Sequence, residues 1–214
     1  MLITNWNLLE SIEASIMDYN NQLWREDDKH LRLDGLEYAE DWESAEVPVE
    51  TLRKLKTLRI SLIVKNTNDE ELIDITNQLS KLLDNMKLIL FSFSMNSKGN
   101  QASKVDLSFL EHLNEDVKIF SLTGVDLSKE HSELFSRFQN LHHCNLQKCN
   151  ISNPTIISDI PQDTFISLER NKIDPLYYSH AIELIKKTNG RVVFSDENLQ
   201  TITRNLFRKV CKFK

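Results

Sequence analysis

The sequence predicts an α/β protein built as a linear array of strand–turn–helix units. Three observations predict it. Short alternations of apolar residues, such as Cys144/Leu146 and Ile166/Leu168, read as strands with one buried face. Between such segments lie stretches with apolar residues at i, i+3 and i+4, the spacing of an amphipathic helix. The strand segments recur every 22 to 31 residues, the period of a repeat array, which an antiparallel sandwich does not produce. An ordinary open α/β sheet is the alternative reading.

The elements follow in chain order. Residues 5–24 carry Leu9, Ile12, Ile16 and Leu23 on one stripe, with Trp6 and Trp24, and predict a helix. Residues 1–28 are therefore expected to be an N-terminal helical cap over the open end of the array. Glu37–Glu50 is acidic, contains Tyr38, Trp42 and Pro48, and reads as a loop or short helix between the first two strands. Thr67–Asn85 has a helical stripe in Leu72, Ile75, Leu79, Leu82 and Leu83, with Asn68 or Asp69 to cap its start. Asn96–Val105 is polar, holds Gly99, and reads as a flexible loop. Asp174 before Pro175 predicts the start of a helix that runs to Thr188, with Gly190 after its end. Ile202, Leu206, Val210 and Phe213 share one helical face and predict a C-terminal helical cap over 200–214.

Repeat units give the register. The clearest is Leu141-His-His-Cys144-Asn-Leu146-Gln-Lys-Cys149-Asn-Ile151. Asp163-Thr-Phe-Ile166-Ser-Leu168-Glu-Arg-Asn171-Lys-Ile173 and Val117-Lys-Ile-Phe120-Ser-Leu122-Thr-Gly-Val125-Asp-Leu127 align with it at Ile166 and Phe120. Leu55-Lys-Thr-Leu58-Arg-Ile60 and Met86-Lys-Leu-Ile89-Leu-Phe91 share the beginning of the unit. Lys29–Leu36 and Arg191–Leu199 supply the first and last. The anchors are then 31, 58, 89, 120, 144, 166 and 192. This pattern resembles the leucine-rich repeat, L-x-x-L-x-L-x-x-N/C-x-L, well over 117–173 and more loosely over 29–199. Only Cys149 and Asn171 fill the Asn/Cys position, so the repeats are degenerate, and what they resemble is the ribonuclease-inhibitor-like type. The resemblance implies a single domain over 1–214, with about seven irregular repeats in 29–199. It implies a horseshoe or arc with short parallel strands on the concave face and helices on the convex face.

Composition bounds the function. The chain has 214 residues, 40% hydrophobic and 27% charged, an ordinary balance for a folded domain. It has no long uncharged apolar run, so no membrane span is expected. The N-terminus lacks the basic stretch of a secretory signal. Three cysteines in a chain this long do not make a disulfide framework, and a reducing, cytoplasmic setting is expected, or delivery into a host cell by a route that needs no signal peptide. Net charge is −6 and uneven. Residues 1–50 hold thirteen acids and three bases, net −10, leaving +4 for the remainder. An acidic front disfavours nucleic acid and suits a basic protein partner.

The usual catalytic motifs are absent. Four glycines leave no phosphate-binding loop, and neither H-E-x-x-H nor G-x-S-x-G occurs. His142, His143, Cys144 and Cys149 invite a metal reading, but adjacent strand residues point to opposite faces, and the repeat assigns both cysteines to the core. No metal, cofactor or catalytic residue is expected.

The expected function is a non-enzymatic scaffold for a protein partner, monomeric by itself. Three settings fit: a bacterial effector or host-interaction protein, an immunity or inhibitor protein neutralising a basic toxin, or a recruitment subunit. An α/β enzyme of unrecognised type is the reading from another class. By the resemblance, the middle column of the concave face holds Arg32, Arg59, Leu90, Ser121, Asn145, Ser167 and Val193. Lys118, Thr123, His143, Gln147, Phe165 and Glu169 flank it. Trp42 among Glu40, Asp41 and Glu43 is a second candidate surface, with charge favouring encounter and the indole favouring affinity.

Overall fold

The computed structural model describes residues 9–15, 32–33, 56–64, 69–97, 102–127 and 129–211. Eight strands among them form one open sheet: β1 (Leu9–Ser15), β2 (Arg32–Leu33), β3 (Thr57–Val64), β4 (Leu90–Ser97), β5 (Ile119–Thr123), β6 (His143–Gln147), β7 (Phe165–Leu168) and β8 (Val192–Phe194). The order is β2-β1-β3-β4-β5-β6-β7-β8. From β3 to β8 every strand pairs in parallel with its successor in sequence. The α/β class with a parallel sheet is therefore as expected. Parallel neighbours need a crossover. Here α1 (Asp69–Leu83) joins β3 to β4, and α2 (Tyr178–Lys187) lies between β7 and β8. Between β4 and β7 the crossovers are 3-10 segments, Ser108–His112, Lys129–Arg137 and Pro154–Ile157, where fuller helices were expected. The last two of these crossovers lie in units of 24 and 22 residues, which leave little chain for a longer helix once strand and turns are made. α3 (Glu197–Cys211) follows β8, a helix where one was expected over 200–214. Among the described residues no helix is long and apolar enough to cross a membrane.

One face of the sheet builds the core. Leu58, Phe91, Phe120, Cys144, Ile166 and Val192 lie in register across β3–β8, each 1% exposed or less. Phe93, Leu122, Leu146, Leu168 and Phe194 form the next inward row. The crossovers pack Leu79, Leu83, Phe109, Leu110, Phe135, Phe138, Ile157, Ala181 and Ile185 into the same core. Phe120 is its centre, with ring centroids 6.0 Å from Phe91, 5.8 Å from Phe135 and 5.5 Å from Phe138. Such offset and edge contacts add to area burial.

Side chains also stitch each unit to the one before it. Asn114 brackets the Leu88 backbone, accepting from its N–H at 2.7 Å and donating to its carbonyl at 3.0 Å. Arg137 donates to the carbonyls of Glu111 and Leu113, Thr164 to that of Leu141, and Arg191 to that of Asp163.

Four expectations are corrected. The N-terminal helical cap does not hold at residues 9–15, which form β1. Its apolar spacing suits a helix, but β3 offers an eight-residue edge of backbone donors and acceptors, and antiparallel pairing with that edge outweighs local preference. β1 thereby separates Arg32 on β2 from β3, where the repeat reading made them neighbours. The anchor of the third unit is Phe91, paired with Leu58 and Phe120, and not Ile89. Finally, the loop expected over 96–105 is partly structured: β4 reaches Ser97, and Ser103 bridges Val125.

Candidate functional site

The sheet's second face carries, among the described residues, no crossover element in its core, and it holds the candidate site. Parallel register lines up Arg59, Ser92, Ser121, Asn145, Ser167 and Val193 as its middle column. Arg32 belongs to the same row through Glu13, which pairs with Arg32 on one side and Arg59 on the other. The column is half-buried, because flanking strands shade each residue, and Ser167 is buried outright at 8% exposure. The repeat reading sets Ser167 on the concave surface, and the structure buries it there. Asn145 donates through Nδ2 to Ser121 Oγ at 3.2 Å. Asn145 Oδ1 and Ser167 Oγ are buried without a hydrogen-bond partner.

Two candidate residues move. Leu90 falls one place before the column and is buried at 4%, so Ser92 takes its position. A two-residue slip preserves the alternation, so the L-x-x-L-x-L start alone could not exclude it. The longer run Phe91, Phe93, Met95 carries the correct register. Lys118 precedes β5, where its carbonyl accepts from the amides of His142 and His143. Its place beside His143 and Phe165 belongs to Ile119.

The flanks are otherwise as expected. His143 and Phe165 are exposed neighbours with ring centroids 5.8 Å apart. Thr123 pairs with Gln147, and Gln147 Nε2 donates to Glu169 Oε2 at 2.9 Å. Glu169, just beyond β7, is exposed. The second candidate surface, Trp42 with Glu40, Asp41 and Glu43, lies outside the described residues.

The chemically reactive groups are divided by the strand. His142 and His143 are exposed, whereas Cys144 and Cys149 are buried at 1% and 0%. Burial pushes the Cys149 thiol up to about 12, against partial relief from backbone hydrogen bonds at Val125 and Gly124. Burial, with Cys149 nearby, raises the Cys144 thiol too. Both are held as thiols, the unreactive form. No group of three or more metal-ligating side chains gathers among the described residues. Compared with protein-family models, curated proteins and solved structures, the chain finds no match in any of the three.

Proposed function

We propose that the chain is a leucine-rich repeat solenoid that acts as a non-enzymatic scaffold and binds a protein partner through the open strand face. One observation carries the reading. Six parallel strands in unbroken register set a continuous column of mixed polar side chains on the face away from the crossovers. Strand-lined faces of this kind present side chains at fixed spacing from a rigid backing, so binding costs little ordering entropy. The repeat pattern over 117–173 and the asparagine at 171 support the family assignment. The acidic first fifty residues favour a basic partner.

Paired variants test it. Ser121→Arg with Thr123→Arg places bulk and charge on the open face at β5. Glu183→Arg with Lys186→Glu alters α2, where both residues are exposed. Partners captured from the native cell by the unaltered protein are expected to be lost by the first pair and kept by the second. The opposite pattern, with both variants folded by circular dichroism, removes the open face as the binding surface.

A further inference from the structure

Two buried oxygens on the open face have no partner, and they stand side by side. Asn145 and Ser167 are paired across β6 and β7. Asn145 Oδ1 and Ser167 Oγ each lie out of reach of solvent without a hydrogen bond, and Ser167 is more than nine-tenths buried. A buried polar atom left unpaired costs free energy, so such atoms mark places where a donor belongs. The surroundings define that donor. Glu169, one step along the same face, is an exposed carboxylate with Oε2 engaged by Gln147. On the other side Phe165 presents an exposed ring, backed by His143. Arg191, on the neighbouring segment, is turned to Asp163, with Nη1 at 2.9 Å from its carbonyl and 3.4 Å from Oδ1.

We propose that the open face over β6 and β7 receives an arginine side chain of the protein partner, with Asn145 Oδ1, Ser167 Oγ and the Glu169 carboxylate as acceptors and Phe165 as the wall for its stem. This rests on the reading of the open face as the binding surface. Residues on one strand face are about 7 Å apart. An arginine stem laid over Phe165 thus carries the guanidinium to Ser167, within one step of Glu169. The guanidinium offers five donors and no acceptor, which fits three acceptor oxygens on one stretch of the face. Lysine, a point charge with a strongly hydrated head, matches the cluster less well. The two oxygens are shielded from solvent in the unbound protein, so the incoming group must displace the side chains that cover them.

The probes are an amidated, acetylated Gly-Arg-Gly-Arg-Gly peptide and its lysine counterpart, titrated into isotope-labelled full-length protein. The Asn145 side-chain amide and the Ser167 backbone amide are expected to shift with the arginine peptide, which binds about tenfold more tightly than the lysine peptide. Glu169→Gln, an exposed change that leaves the fold intact, is expected to weaken the arginine peptide about tenfold. Asn145→Leu is expected to abolish the preference for arginine. Equal affinity for the two peptides, unmoved Asn145 and Ser167 signals, or indifference to Glu169→Gln overturns the arginine site. Should that happen while Ser121→Arg with Thr123→Arg still loses the captured partner, the open face stands and only the arginine site falls. Failure of the face itself is read separately, as retention of the partner by that pair.

Discussion

Asn171 shows how much one side chain holds. It is buried, and its Oδ1 accepts from the amides of Cys149 at 2.8 Å and Ile151 at 3.1 Å. Its Nδ2 donates to the carbonyls of Leu146, Leu168 and Glu169. The turn after β7 is thereby tied to the turn after β6. Cys149, one unit earlier at the same position, does less: its thiol donates to the carbonyls of Leu122 at 3.4 Å and Gln147 at 3.3 Å. The Val125 side chain, earlier again, only fills space. Asn171→Ala leaves two buried amides without acceptors and is expected to destabilise the protein by roughly 2–4 kcal/mol, read from the urea midpoint. Asn171 and both cysteines are legible in the sequence, since the repeat pattern names their positions. The pairing of Asn145 with Ser167 follows from the same register, but the burial of their oxygens without partners does not, because it depends on how the strands pack.

Elements show where local chemistry decides and where it does not. After β5, β6 and β7 the chain turns through the left-handed region at equivalent positions: Gly124 at φ 73°, Lys148 at 55° and Arg170 at 59°. Only the first is glycine, and packing explains it. A Cβ on Gly124 would lie 2.2 Å from the carbonyl oxygen of Met95 on β4. Gly124→Ala combines unfavourable φ with a backbone clash and is expected to lower stability by about 1–3 kcal/mol, seen as a fall in Tm. The start of α3 is set by Asp196, whose Oδ1 accepts from the amides of Asn198 and Leu199 at 3.0 Å. Its Oδ2 accepts from the Tyr178 hydroxyl, joining α3 to α2. The Tyr178 hydrogen bond, followed by the Leu199 amide, holds the Asp196 carboxyl below its ordinary value of 3.8. The carboxylate's contribution is thus present above the ordinary value and lost as pH falls through the lower folded one. In the other direction, the bond to Asp196 raises the Tyr178 phenol above 10.0, so its contribution is present below that pH and lost as pH rises through the higher folded value. Asp196→Ala is expected to cost about 1 kcal/mol at neutral pH. In urea unfolding against pH, the gap between variant and parent should close in the acid range below 3.8 and narrow at strongly alkaline pH, where the Tyr178 bond is lost while the Asn198 and Leu199 amides keep their acceptor.

At the scale of the whole molecule, each unit from β3 onward touches chiefly its neighbours in sequence, because strand order follows chain order. Stability is then carried locally, and the interior units are bounded on both sides. Amide hydrogen exchange is expected to be slowest in β5 and β6 and faster in β8, a three-residue strand at the sheet's end. Uniform protection across β3–β8 would show instead that the array opens as one body.

The sequence by itself determined the α/β class, the inward rows from β5 to β8, α1, the Asp174–Pro175 start before α2, and the C-terminal helix. Those depend on period and capping, which are local. Only the tertiary structure decided that residues 9–15 are a strand, that β1 stands between β2 and β3, and that Phe91 rather than Ile89 anchors its unit. Apolar alternation is unchanged by a two-residue slip, and a marginal helix former yields to an unpaired edge, so both outcomes rest on hydrogen bonds to distant chain. The same reason hid Ser92, whereas the repeat register already set Asn145 beside Ser167; only the packing of the sheet decided that their oxygens are buried without a partner.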